Sequence, residues 1–256
     1  MDKNKKTLWI VTELFPPDET STSYILGEIA NAMVKKYTVK VISGPEIYDK
    51  QKKLDENNKF RLDPSIEVMR VKGANLDKNT TKGKGLSFLL MSMRLFGLAK
   101  ANIGNKDKVL MVTNPAPLVV LLSQLKKKRG FELNLLVHDM FPENTKPAGL
   151  KLPMYGLFKR LFDKAYSRAD QLIALGRDMK TVLSEKVSHN EKRTKITIIE
   201  NWADIENITF QKMPEGKIVL EYAGNIGRVQ GLDKVINRVP KDVELHLYGT
   251  VQWRNG

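Results

Sequence analysis

The chain has 256 residues, enough to bury a sizeable core in one large or two smaller domains, and its 41% hydrophobic content with mixed charge is that of a soluble globular protein. It contains no cysteine, which excludes disulfides, thiolate metal sites and a cysteine nucleophile and fits a reducing compartment. A formal charge of +14 favours contact with something anionic, whether nucleic acid, acidic lipid headgroups or phosphorylated substrates, although the even scatter of lysines also fits a lysine-rich proteome.

Leu8-Trp9-Ile10-Val11 is an apolar run without period-2 alternation, as in a strand buried on both faces. Phe15-Pro16-Pro17 ends it. Four candidate N-caps, Thr20 to Ser23, then lead into a helix with Ile25, Ile29 and Met33 on one face, its register open. Val39–Ser43 and Ile66–Val71 are the next strands, separated by a long polar connection from Pro45 to Pro64. A helix is expected over Leu86–Ala101, and a fourth strand over Lys108–Thr113, ended by Asn114-Pro115. Pro115 and Pro117 stand where a first helical turn tolerates proline. Lys126-Lys127-Lys128-Arg129 complement the dipole at the far end of that helix, and Gly130 stops it. This basic run reads as a helix terminus rather than a nucleic-acid patch. Glu132–Val137 is a fifth strand, a basic aromatic helix follows over Pro153–Arg168, and strands at Gln171–Leu175 and Ile196–Ile199 flank a helix at Asp178–Val187.

Seven strands alternating with helices argue a doubly wound parallel α/β sheet, whose ligands bind beyond the carboxyl ends of the strands. The expected first domain is residues 1–200, followed by a linker over 201–216 and by a second domain over 217–256 that is started and not completed. In that second domain the run Val219–Asp233 reads as a strand, a glycine-containing turn and a helix start. Gly224 and Gly227 open backbone angles that would let its N–H groups approach a phosphate. The spacing is not Gly-x-Gly-x-x-Gly, so a nicotinamide cofactor has no support. No run reaches the roughly 18 apolar residues of a spanning helix, and a cytoplasmic location is expected.

His138-Asp139 lies just past the fifth strand, at the ligand edge of such a sheet. A histidine there offers a general base and a carboxylate offers the same or an orienting partner; the other reading is that Asp139 caps the turn and His138 packs against it. The three histidines are far apart and lack ligand spacing, so no metal site is expected; Asp204-Ile205-Glu206 reads as a solvated turn. The window Lys146–Arg168 sets Lys146, Lys151, Lys159, Arg160, Lys164 and Arg168 among apolar and aromatic residues, and Lys82–Lys108 has the same character. Both are read either as helices covering the sheet or as helices lying on an anionic bilayer.

Phe15-Pro16-Pro17-Asp18, Asn114-Pro115-Ala116-Pro117, His138-Asp139-Met140-Phe141-Pro142-Glu143, Arg168-Ala169-Asp170, Ile199-Glu200-Asn201-Trp202-Ala203-Asp204 and Tyr222–Asp233 occur in that order. Together they resemble the family-4 retaining glycosyltransferases, in particular bacterial transferases of O-antigen, capsule and exopolysaccharide assembly. The resemblance implies a GT-B architecture of two Rossmann-like domains, a nucleotide-sugar donor held mainly by the second, and metal-independent transfer with an oxocarbenium-like transition state and no cofactor. The implied acceptor is a polyprenyl-diphosphate-linked saccharide at an anionic membrane surface, on the inner face of the plasma membrane, with no nucleic acid as partner. By position, Asp139 and His138 fall at the catalytic edge. Pro17, Ser21, Thr22, Ser23, Asn114, Glu143, Asn201, Gly224, Asn225, Gly227, Arg228 and Gln230 fall among donor- or acceptor-binding positions.

The chain departs from the pattern in three places. Thr20-Ser21-Thr22-Ser23 replaces the usual Gly-Gly of the first loop. Asn225 and Gln230 replace the arginine and lysine that clamp the diphosphate, leaving Arg228 as the nearby cation. The Glu-x-x-x-x-x-x-x-Glu segment that holds the donor is absent, so the expectation is an incomplete second domain, or one completed by a partner chain. The alternative reading is a non-catalytic or partner-dependent protein that holds the saccharide acceptor.

Overall fold

The computed structural model describes residues 5–46, 60–73, 81–147, 149, 151–189, 194–202, 209, 216, 218–224, 226 and 230–249. The chain divides into two compact units, one of Met1–Pro142 with Met154–Asn201, the other of Glu143–Pro153 with Trp202–Gly256.

The first unit is built on a seven-stranded parallel sheet in the order β3-β2-β1-β4-β5-β6-β7. Its strands are β1 (Thr7–Val11), β2 (Thr38–Ser43), β3 (Glu67–Arg70), β4 (Lys108–Val112), β5 (Glu132–Val137), β6 (Gln171–Ala174) and β7 (Lys195–Ile198). The helices are α1 (Ser21–Met33), α2 (Thr81–Asn102), α3 (Ala116–Arg129), α4 (Tyr155–Tyr166) and α5 (Arg177–Val187). The central strands carry apolar side chains on both faces because both faces are covered, and a parallel sheet has this requirement. Along β1, Trp9 and Val11 enter a core shared with α2, α3, α4 and α5, whereas Leu8 and Ile10 enter a second core with Leu26 and Ala30 of α1. β4 divides in the same way, with Val109 and Met111 on one side and Leu110 and Val112 on the other. Strand order runs outward in one direction through β2 and β3 and in the other from β4 to β7, so right-handed crossovers put α1 opposite the remaining helices.

Helix ends follow the local chemistry. Thr20 is the N-cap of α1, its hydroxyl accepting from the Ser23 N–H at 3.3 Å, which fixes the register that four neighbouring hydroxyl residues leave open in the sequence. The buried face of α1 is Ser23, Ile25, Leu26, Gly27 and Ala30, and the partly buried Ile29 and Met33 pack against the same core as Leu26 and Ala30. Gly130 ends α3 with φ 79°, its N–H returned to the Lys126 carbonyl at 2.7 Å. The basic end of α3 is engaged within the unit: Lys126 pairs with Asp170, and Arg129 donates to the Ile103 carbonyl at 2.7 Å. α2 starts at Thr81, more than a turn before the expected Leu86, since Gly83 and Gly85 weaken the propensity signal of its first residues.

The described part of the second unit has a 3-10 turn (Glu143–Thr145) and a parallel pair, β8 (Val219–Ala223) with β9 (Glu244–Tyr248), joined through α6 (Leu232–Ile236). Ile218, Leu220, Val235, Ile236, Leu247 and Tyr248 are exposed, as one strand–helix–strand layer cannot cover both of its own faces. Among the described residues no helix is long and apolar enough to cross a membrane.

Candidate functional site

Strand order reverses between β1 and β4, and the carboxyl ends of adjacent strands there splay their loops apart and open a crevice. A cavity of about 50 Å³ lies at this point, lined by Thr12 and Leu14 after β1, Thr22 at the start of α1, Val112 and Asn114 at the end of β4, and His138 and Asp139 after β5. Four of the residues singled out in the sequence, Thr22, Asn114, His138 and Asp139, thus meet around one space. Pro17, Ser21 and Ser23 belong to the same loop and helix start but do not line it. Ser23 is fully buried, and its hydroxyl has no hydrogen-bond partner among the described residues.

Thr113, which sequence reasoning passes over, builds the turn that carries the two candidate catalytic residues. Its hydroxyl, 2% exposed with the residue, accepts from the backbone N–H of His138 and of Asp139, each at 3.2 Å, and donates to the Asp139 carbonyl at 2.9 Å. The Tyr166 hydroxyl on α4 donates to the same carbonyl at 3.3 Å. The backbone of this turn is thus held by a hydroxyl from the neighbouring strand and one from α4. The available signal was a lone hydroxyl residue closing an apolar strand, too common to single out.

The loop after β1 is pinned from several sides. Thr12 donates to the Leu14 carbonyl at 3.0 Å, and the Thr12 N–H reaches the Ile42 carbonyl at 3.0 Å. Gly44, after β2, donates to the Thr12 and Glu13 carbonyls at 3.3 and 3.2 Å, and a Cβ at position 44 would lie 2.3 Å from the Glu13 carbonyl oxygen. Arg70, at the end of β3, donates to the Pro16 carbonyl and approaches the Gly44 carbonyl at 3.5 Å. Burial lowers its guanidinium pKa, and the carboxylates of Glu46 and Asp18 oppose that shift.

His138 is half-buried, and its Nδ1 lies 3.3 Å from the Thr22 hydroxyl. Nε2 is shielded from solvent and has no hydrogen-bond partner among the described residues. Burial pushes the imidazole below its usual pKa of 6.5, with the adjacent Asp139 carboxylate pulling weakly the other way, so the ring is neutral at pH 7. Asp139 is exposed. The arrangement offers one neutral imidazole, one carboxylate and one amide around a space too small for a whole sugar nucleotide, which typically needs roughly 300 Å³ or more. It can hold the edge of a ligand seated above the sheet.

The residues expected to hold the donor lie elsewhere. Glu143 is half-buried in the 3-10 turn and groups with the second unit. Asn201 is exposed at the end of the first unit. Gly224 has the expected left-handed φ, 153°, but its N–H is donated to the Tyr248 carbonyl at 2.8 Å and is not free for a phosphate. Gln230 is exposed. Asn225, Gly227 and Arg228 lie outside the described residues, as do Asp204, Ile205 and Glu206. A wider apolar hollow of about 300 Å³, lined by Leu220, Lys234, Val235, Arg238, Val239 and Pro240, belongs to the uncovered face of β8 and α6 and brings no reactive groups together. Among the described residues no group of three or more His, Asp or Glu side chains could hold a metal ion.

This strand order, with its crevice at the switch point, is the Rossmann-like α/β fold of GT-B glycosyltransferases. The chain superposes on the N-terminal domain of Candida albicans trehalose-6-phosphate phosphatase with a TM-score of 0.61 at 12% identity, covering 99% of this chain and 66% of that one. Anabaena Alr3699/HepE, solved in complex with UDP, gives a TM-score of 0.55 at 15% identity over 97% of this chain and 62% of that one. At these identities the likeness is one of fold. No family model matches the chain. In sequence it is similar to WbjE of Pseudomonas aeruginosa, a probable glycosyltransferase, with 31% identity over 249 residues, 91% of this chain. The chain spans 59% of the length of that relative.

Proposed function

We propose that the chain is the acceptor-side domain, with the beginning of the donor domain, of a retaining GT-B glycosyltransferase. It would move a sugar from a UDP-sugar to a lipid-linked saccharide in surface-polysaccharide assembly. The observation that carries this reading is the crevice at the switch point, where a neutral His138 with an unsatisfied Nε2 and an exposed Asp139 meet beside Asn114. The probable transferase relative and the UDP complex of the structural neighbour support it. In this reading Nε2 of His138 hydrogen-bonds an oxygen of the donor sugar as charge develops at the anomeric carbon, and Asp139 faces the acceptor hydroxyl. No metal is required, because the diphosphate charge would be met by backbone N–H groups and side chains of the completed donor domain.

Two exposed faces support a lipid-linked acceptor. On α4, Leu157 and Leu161 stand outward beside Arg160 and Lys164, with Met154 at its start. On α2, Leu86, Leu89 and Met93 are exposed. An apolar stripe with flanking cations suits an anionic bilayer, the cations meeting headgroup charge and the side chains entering the acyl boundary. Lys159 does not share in this, because it pairs with Asp163 at 2.8 Å.

The test, with a complete donor domain supplied, is release of UDP from a panel of UDP-sugars in the presence of polyprenyl-diphosphate-linked saccharides, by the wild-type sequence and by His138→Ala and Asp139→Asn. Loss of either group should lower kcat by about 10²–10⁴-fold. Binding of the lipid-linked saccharide without any UDP release would instead favour the non-catalytic acceptor-binding reading.

A further inference from the structure

The ring of His138 has one nitrogen held by the protein and one left over. Thr22 Oγ1, 3.3 Å from Nδ1, is the side chain that holds it. A hydroxyl carries one hydrogen, and the Thr22 hydroxyl has no other partner among the described residues. Thr22 is the second residue of α1, in the turn whose backbone N–H groups lack intrahelical acceptors. The positive end of the helix disfavours an imidazolium there. Burial of the ring acts in the same direction. A neutral imidazole with its Nδ1 lone pair toward Thr22 meets all of these conditions.

We propose that Thr22 is a positioning residue for His138: its hydroxyl donates to Nδ1 and fixes the ring as the Nε2–H tautomer. His138 then offers a hydrogen-bond donor to an oxygen of the ligand and cannot serve as a general base through Nε2. This also gives a role to the hydroxyl-rich sequence Thr20–Ser23 at the start of α1: Thr20 caps the helix, and Thr22 orients a ring on the far side of the crevice. The identity of the ligand oxygen, a sugar hydroxyl or a phosphate oxygen, rests on the glycosyl-transfer reading; the tautomer rests on the Thr22 contact, the helix start and the burial of the ring.

The experiment is imidazole ¹⁵N NMR on the 256-residue chain at neutral pH, with the signal assigned among the three histidines by its disappearance in His138→Gln. The wild-type ring should show the Nε2–H pattern. Thr22→Val should give a mixture of tautomers, and Thr22→Ser should restore the wild-type pattern; Thr22→Ala serves if valine disturbs the helix start. An Nδ1–H wild type, or a tautomer unchanged by loss of the hydroxyl, overturns the proposal. In UDP release with a complete donor domain supplied, Thr22→Val should lower kcat roughly 5- to 10-fold with little change in KM, the worth of one hydrogen bond. If the tautomer behaves as expected while the wild-type sequence, with a complete donor domain supplied, releases no UDP, the positioning role stands and the glycosyl-transfer reading fails.

Discussion

Replacing Asp163 with alanine removes a counter-charge of Lys186, a fully buried cation of the first unit. The Lys186 side chain on α5 is 0% exposed, and its Nζ lies 2.7 Å from Asp163 Oδ1 on α4. It also lies 3.4 Å from the Phe141 carbonyl and 5.2 Å from the centre of the Tyr166 ring. Removing one partner of a buried pair typically costs about 3–5 kcal/mol, since a charge is left in a poor solvent. Here the 2.7 Å approach lacks hydrogen-bond alignment, and the carbonyl and ring keep part of the compensation, which puts the loss near the lower bound, about 3 kcal/mol. For a unit of this size that corresponds to a fall in Tm of about 6–12 °C, readable by calorimetry or circular dichroism. Lys186→Met behaves differently. Asp163, 18% exposed, keeps Lys159 at 2.8 Å and some water, so the expected loss is about 1 kcal/mol or less. Equal losses in the two variants, or a fall below about 3 °C for Asp163→Ala, would refute the argument that the buried ammonium is the costly member.

Thr113→Val strips the clamp from the His138-Asp139 turn, orphaning two backbone N–H groups at about 1–3 kcal/mol each; Thr113→Ser should recover most of the loss in urea unfolding. Because burial depresses the His138 pKa, the unfolded chain binds its proton first. That stability contribution is present above pH 6.5 and is lost as pH falls through the lower folded value, so His138→Gln should flatten the slope of Tm against pH below 6.5. Binding to vesicles with anionic lipid should weaken with salt, since exposed charges are screened within about 10 Å at 0.1 M. It should also weaken in a variant combining Arg160→Gln, Lys164→Gln and Leu157→Gln; unchanged sedimentation refutes the assignment of the α4 face.

The seven strands were legible because apolar runs such as Val109–Val112 have few other uses, and because Gly130 and the Pro115 start mark their helix without ambiguity. The switch-point edge was legible for the same reason: once strands alternate with helices, topology fixes which loops converge. What stayed hidden depends on contacts across the fold. The full burial of Ser23 and Ala30 on α1 depends on what packs over them, which periodicity does not encode. Thr113 bonds residues 25 and 26 positions away, and Thr22 meets a ring 116 positions away. Lys186 reads as one more basic residue of a surface helix until α4 is seen to lie over it. The glycine turn misled in another way: Gly224 takes its unusual angle to pair with β9, not to free its N–H.

The pairing of β1 with β4 sets Leu8 opposite Lys108, one hundred positions along the chain. Closing a loop of that length costs on the order of 4 kcal/mol in chain entropy, more than any single local contact returns. The crevice between these strands therefore has no existence in a partly folded chain: Thr12, Asn114 and His138 come within reach of one another only after the longest closure in the sheet is complete. Ligand affinity at this place is then tied to the population of the whole first unit. A destabilising change on a distant helix will lower apparent affinity without touching the crevice, and a bound ligand will raise the melting temperature of strands it never meets.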